Sequence, residues 1–172
     1  MIESKTIAQV KAYARIDGAL LSLIWIGSFA ITILWPTNIF GQVLALATPF
    51  FIGWRLQRFR DGALDGHISF RRAFFYCFYT FIYAALIFAV AQYVYFRFLD
   101  QGRFPSMMVD TLNMLAPIYE KNGVPTEQIE EVSKMIMSTS PIEMAFVFMT
   151  QNIFIGLVLS PIIAVLMRRA KP

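Results

Sequence analysis

Cysteine and histidine are almost missing from this 172-residue chain, where Cys77 and His67 each stand alone. One cysteine allows no disulfide within the chain, and one histidine with one cysteine cannot build a His/Cys metal site in a single copy. Charge is also scarce: Asp, Glu, Lys and Arg make up 15% of the chain, against about 25% in soluble proteins. What charge there is leaves four stretches untouched. They run from Gly18 to Trp35, Ile39 to Trp54, Ala73 to Phe96 and Met144 to Met167. At 1.5 Å rise per residue such stretches cover about 24 to 36 Å, enough for a hydrocarbon layer of about 30 Å with some tilt or thinning. A soluble core in a chain this small has no room for four of them. The expected fold is all-α: one integral membrane domain over residues 1–172 with four transmembrane helices.

The sign of the remaining charge orients these spans. Lys5, Lys11 and Arg15 precede the first, Arg55, Arg58, Arg60, Arg71 and Arg72 lie between the second and third, and Arg168, Arg169 and Lys171 follow the fourth. The connection over residues 97–143 holds only Arg97, Arg103, Lys121 and Lys134, and these are outnumbered by acids. Basic residues accumulate on the cytoplasmic side, so both termini and the middle loop are expected inside and residues 97–143 outside. The net charge of +4 is thereby explained by topology, and no nucleic-acid partner is expected. Pro36-Thr37-Asn38 is short enough to force spans one and two into an antiparallel hairpin. A small-x-small site at Ser28-Phe29-Ala30 is weak, because the apolar run continues to Trp35, and a retained span is expected over a cleaved signal peptide. Residues 4–15, with Ser4 as N-cap, suit a helix that either lies on the membrane surface or extends the first span.

Within the outer connection, Met107, Met108, Leu112, Leu115 and Ile118 recur at near-helical spacing, and Pro125 opens a second such segment with Ile129, Val132, Met135 and Ile136. Two short amphipathic helices separated by a turn at Gly123 are expected, packed on each other or lying in the headgroup layer. In the middle loop, Asp61-Gly62 and Asp65-Gly66 both read as turn signals. His67 beside them lacks any partner at catalytic or metal spacing.

Function is sought first among polar groups at membrane depth, which are costly there unless paired or used. By these boundaries no span contains an internal charge, which weighs against a proton relay. Amides remain. Gln42, Gln92, Gln151 and Asn152 all fall in the outer part of the bilayer, either converging on one polar pocket or serving as interhelical glue. Pro49 and Pro161 are expected to kink spans two and four. At the cytoplasmic side, Arg55, Arg58, Arg71 and Arg72 are expected to form one patch suited to an anionic lipid or phosphate headgroup, with Phe74 and Phe75 beside its chain. No catalytic constellation, metal site or cofactor is visible. The acids Asp17, Asp61, Asp65, Asp100 and Glu143 are scattered over both faces.

The stretches YARIDGALLSLIWIGSFA at Tyr13 to Ala30, ISFRRAFFY at Ile68 to Tyr76 and AQYVYFRFLD at Ala91 to Asp100 resemble the bacterial membrane family catalogued as domain of unknown function 4199. The resemblance covers nearly the whole chain and implies four spans in the inner membrane of a Gram-negative bacterium. It also implies a role beside a membrane-associated glycosyltransferase in envelope or lipid-linked glycan biogenesis. A non-enzymatic accessory subunit is therefore the leading expectation. A lipid-binding or flipping protein and a small transporter or channel, which would need homo-oligomers to enclose a pore, are the alternatives.

The topology is directly testable by thiol labelling of intact spheroplasts. In a Cys77→Ala background, Ser133→Cys is expected to react with a membrane-impermeant reagent and Ala63→Cys to stay silent; the reverse pattern overturns the orientation.

Overall fold

The computed structural model describes residues 2–35 and 37–169, with side chains from Thr6 onward. Pro36 of the expected hairpin connection, Lys171 of the basic tail and the side chains of Ser4 and Lys5 lie outside the described residues.

The first apolar run forms the end of α1, Ile2–Leu34. The N-terminal segment is thus a plain extension of that span. The second run does not form one helix. It divides into α2, Phe40–Leu46, and α3, Thr48–Ala63, with Ala47 between them. Pro49 is the physical reason: without an N–H it cannot donate to the carbonyl one turn back, and it is tolerated only in the first turn of a new helix. The Thr48 hydroxyl settles at the break, accepting from the Trp25 indole N–H of α1 at 2.9 Å.

The third and fourth runs form α4, Phe70–Phe98, and α7, Pro141–Met167. Pro161 does not interrupt α7; its neighbour Ser160 donates back to the Gly156 carbonyl at 2.5 Å. Among the described residues, three helical stretches, Thr6–Leu34, Phe70–Phe98 and Pro141–Met167, are long and apolar enough to cross a membrane. The chain therefore has the build of a multi-pass membrane protein.

The fold falls into two compact units, Met1–Ala89 with Phe148–Pro172, and Val90–Val147. In the first unit, α4 supplies the largest share of the core, including Ala73, Cys77, Phe81 and Ala84, against Leu21 and Trp25 of α1, Ile52 and Leu56 of α3, and Ala164 of α7. Small residues let these helices approach. A Cβ placed on Gly18 would lie 2.7 Å from the Tyr83 Cβ and 2.9 Å from the Thr80 carbonyl oxygen of α4. Gly41 of α2 is pressed as closely against α1, where Ser28 donates to its carbonyl at 2.7 Å. Glycine costs a helix about 1 kcal/mol relative to alanine, so the packing it permits must offset that loss.

The turn from α3 to α4 is shorter than its two Asp-Gly pairs suggest. Asp61-Gly62 is helical, and only Asp65 at φ 52° and Gly66 at φ 77° form a turn. Just beyond it, Ile68 exchanges two backbone hydrogen bonds with Arg169, at 2.9 and 3.1 Å, while Arg60 donates to the Met167 carbonyl at 3.1 Å. The start of α4 and the end of α7 consequently meet at one basic end of this unit.

The second unit contains the end of α4, α5, Arg103–Lys121, α6, Thr126–Ser138, and the start of α7. Asp100, 1% exposed, opens α5 by accepting the Phe104 N–H at 3.0 Å. Gly123 at φ 86° closes it, with the Val124 N–H returning to the Tyr119 carbonyl at 3.0 Å. Ser140 and Glu143 form a reciprocal capping pair at the start of α7. The helices α5 and α6 pack on each other with Ile129 buried, while Met107, Met114 and Ile118 remain exposed.

Gly18→Ala tests the approach of α1 to α4. The added methyl meets backbone that cannot yield, so thermal unfolding in mild detergent is expected to show a loss of about 1 to 3 kcal/mol. A loss below about 0.5 kcal/mol would mean the helices are not in contact there.

Candidate functional site

The charged centre of the first unit is Asp17 in α1, directly before the residue that begins the first apolar run. It is 2% exposed. One carboxylate oxygen accepts from the Arg55 Nε of α3 at 2.6 Å and forms an ion pair with the same guanidinium. The other accepts from the Tyr76 hydroxyl of α4. Tyr76 is held in turn by the Phe59 ring, stacked at 5.0 Å and 8°. Three helices are thereby tied at one carboxylate. Both of its oxygens are hydrogen-bonded, one by the guanidinium and one by the phenol. The boundary drawn at Gly18 had excluded a charge from the span; the helix runs through Asp17 and buries it.

The four arginines read as one patch are dealt to different tasks. Arg55 neutralises Asp17, and Arg58 lies exposed over the Trp54 ring at 4.4 Å. Arg71 and Arg72 go elsewhere. Together with Thr6, Ile7, Val10, Phe75 and Tyr79 they line a cavity of about 190 Å³ between the start of α1 and the start of α4. By comparison, an apolar cavity of about 150 Å³ takes up benzene. Arg72 Nη2 donates to the Gln9 side-chain oxygen at 2.5 Å, and the guanidinium lies 5.7 Å from the Phe59 ring centroid. Its Nε is buried with no hydrogen-bond partner. Arg71 stands 6.0 Å over Phe75, and Lys11 5.1 Å over Tyr79. Phe75 lines the cavity and Phe74 does not, although both follow the arginines in sequence. On the adjoining surface, hydrogen bonding from Arg60 holds the exposed Asp61 carboxyl below its ordinary range.

The amides are placed less coherently. Gln42 and Gln151 are exposed, and Asn152 is half-buried with its amide turned to the Phe148 carbonyl of its own helix at 2.9 Å. No hydrogen bond joins these three among the described residues. In the second unit, Gln92 is 2% exposed and its Oε1 lacks a partner. His67 Nδ1 donates to the Asp65 carbonyl at 2.8 Å in the α3–α4 turn. Among the described residues no group of His, Cys, Asp or Glu is gathered closely enough to hold a metal ion.

Asp17 and Tyr76 were legible only as separate residues. The usable signal was their register: Asp17 and Arg55 are equidistant in sequence from Pro36, so an antiparallel hairpin turning there sets the two opposite charges level. Tyr76 carried no comparable mark.

The family model described as Protein of unknown function (DUF4199) matches residues 16–169, and the chain belongs to that family. The match takes in Asp17, Arg55, Arg71, Arg72 and Tyr76, but not the Thr6 to Val10 wall of the cavity. No curated protein and no solved structure matches the chain.

Breaking the buried pair from one side is expected to be costly. Asp17→Asn leaves the Arg55 charge unbalanced and should lower stability by about 3 to 5 kcal/mol, whereas the double variant Asp17→Leu, Arg55→Met should recover most of it. Thermal unfolding of the four members of this cycle in one detergent measures both; an Asp17→Asn loss under about 1 kcal/mol would show that the pair is solvated.

Proposed function

We propose that this member of the family is a four-span protein of the bacterial inner membrane, with both termini cytoplasmic, acting without catalysis of its own as an accessory subunit in envelope or lipid-linked glycan biogenesis. The observation that carries this reading is the character of the one open site described at the basic end. Its lining offers guanidinium, hydroxyl and ring surface but no carboxylate, thiol or imidazole, the groups that ordinarily supply an acid, base or strong nucleophile. It is equipped to hold a molecule rather than to transform one. Asp17, the buried acid nearest in character to a catalytic group, is fully engaged by Arg55 and Tyr76.

The orientation is supported by the clustering of Arg58, Arg60, Arg71, Arg72, Arg168 and Arg169 near the α3–α4 turn and the end of α7, as expected for a cytoplasmic face. A fourth span made of α2 and α3 is supported by the backbone at their junction. Ala47 keeps helical angles of φ −70° and ψ −11°, and its N–H and carbonyl remain bonded to Val43 and Phe51 at 3.0 and 2.9 Å. A kinked span of this kind leaves little unsatisfied backbone in hydrocarbon. The biosynthetic setting is the part of the reading drawn from what the resemblance implies, the family itself being described as of unknown function.

Affinity purification of the full chain from native membranes in mild detergent, with identification of associated proteins and the mass of the complex, tests the proposal. A membrane-associated glycosyltransferase is expected to co-purify in fixed stoichiometry. A homo-oligomer free of other proteins that conducts ions in a planar bilayer would replace this reading with a channel.

A further inference from the structure

We infer that the cavity between the first turns of α1 and α4 binds the phosphate group of an anionic membrane lipid. Arg71 and Arg72 face the phosphate, and Ile7, Val10, Phe75 and the Tyr79 ring lie along the chain. The inference deepens the accessory reading and rests on this end of the protein standing at headgroup depth. Its starting point is Arg72. The side chain is fixed on both sides, by Gln9 at Nη2 and by the Phe59 ring near the guanidinium, and it has no carboxylate partner among the described residues. A positioned cation with a buried and unpartnered Nε lacks an acceptor, and it lines a cavity large enough to bring one. Phosphate oxygens suit the planar fork of arginine, which can present two parallel donors. Arg71 adds a second positive charge to the same lining. Both arginines also sit in the first turn of α4, where the helix dipole favours negative charge.

The rest of the lining separates the two sources of such a phosphate. A small soluble anion is best held when polar groups surround it, but here α1 contributes Ile7 and Val10 with only the Thr6 hydroxyl beside them, and Phe75 and Tyr79 continue the lining along α4. Carbon surface beside the cations fits a headgroup still attached to its hydrocarbon. Ile7 is 44% exposed, so the apolar wall also opens outward, where a lipid chain can leave the cavity without being enclosed.

The test uses the full chain, delipidated in detergent and offered phosphatidylglycerol, phosphatidylcholine with the same acyl chains, or inorganic phosphate, with bound lipid counted by native mass spectrometry. Wild-type protein is expected to retain phosphatidylglycerol in preference to phosphatidylcholine, and excess inorganic phosphate should not displace it. Arg71→Gln with Arg72→Gln should weaken retention about tenfold or more. Removing equal charge by Arg168→Gln with Arg169→Gln should leave it unchanged. Ile7→Trp keeps both arginines but narrows the mouth, and it should also weaken retention; this variant decides the matter if the double arginine variant does not fold. An equal loss in the Arg168, Arg169 variant would mean diffuse attraction to the basic end, and no loss with Ile7→Trp would remove the cavity from the account. Displacement by inorganic phosphate would make it a soluble-anion site. Loss of lipid selectivity with a partner enzyme still co-purifying would overturn this inference and leave the accessory role standing; selective lipid binding without any partner would do the opposite.

Discussion

An ionised carboxylate that is 2% exposed must be neutralised and hydrogen-bonded, and that requirement at Asp17 organises the first unit. Arg55 can reach it only if α3 returns antiparallel to α1 with its basic end level with Asp17. Tyr76 can reach it only if α4 lies against both. The carboxylate therefore sets the axial register of three helices that hydrophobic burial alone would leave free to slide, since apolar faces in a lipid setting have little preference between neighbouring turns. The lock is reinforced at the next residue, where Gly18 lets the α4 backbone come close, and at Tyr76, where Phe59 stacks on its ring.

Removing Arg55 from the basic patch has consequences for the site. A guanidinium spent on an internal carboxylate is no longer available to a ligand, and Arg60 is likewise held by Asp61 and the end of α7. Arg71 and Arg72 keep company with aromatic rings and the Gln9 amide, and the register fixed by Asp17 brings the start of α1 across them to close a cavity. The buried network and the open cavity are successive levels of one construction along α1 and α4: Phe59 contacts both Tyr76 and, one turn earlier on α4, Arg72.

The second unit follows different rules. Its helices are short, its caps are local, and its chain reversals are made by the left-handed Gln101 and Gly102 beside the Asp100 cap and by the left-handed Gly123. Such turns are set by neighbouring residues, which is why the two helices stand close to where the spacing of their apolar residues put them. The methionines on the outer surface of α5 stay uncovered.

Local chemistry by itself determined the helical class, the apolar runs that became α1, α4 and α7, the two helices between α4 and α7, and the basic character of one end. These follow from periodicity, from the absence of charge and from turn residues, all of which act over a few positions in the chain. Even there a local cue misled at Asp61-Gly62, where continuing the helix outweighed a turn signal, and at Pro49, whose missing N–H divided a run that composition alone made whole. Which arginine meets a carboxylate, which meets an aromatic ring and which lines a cavity was decided only by tertiary structure. Arg55 and Arg72 are chemically identical and share the same basic segment of the sequence. What separates them is the stretch of α1 each one meets: Asp17 pairs with Arg55, while Gln9 holds Arg72 beside Thr6, Ile7 and Val10.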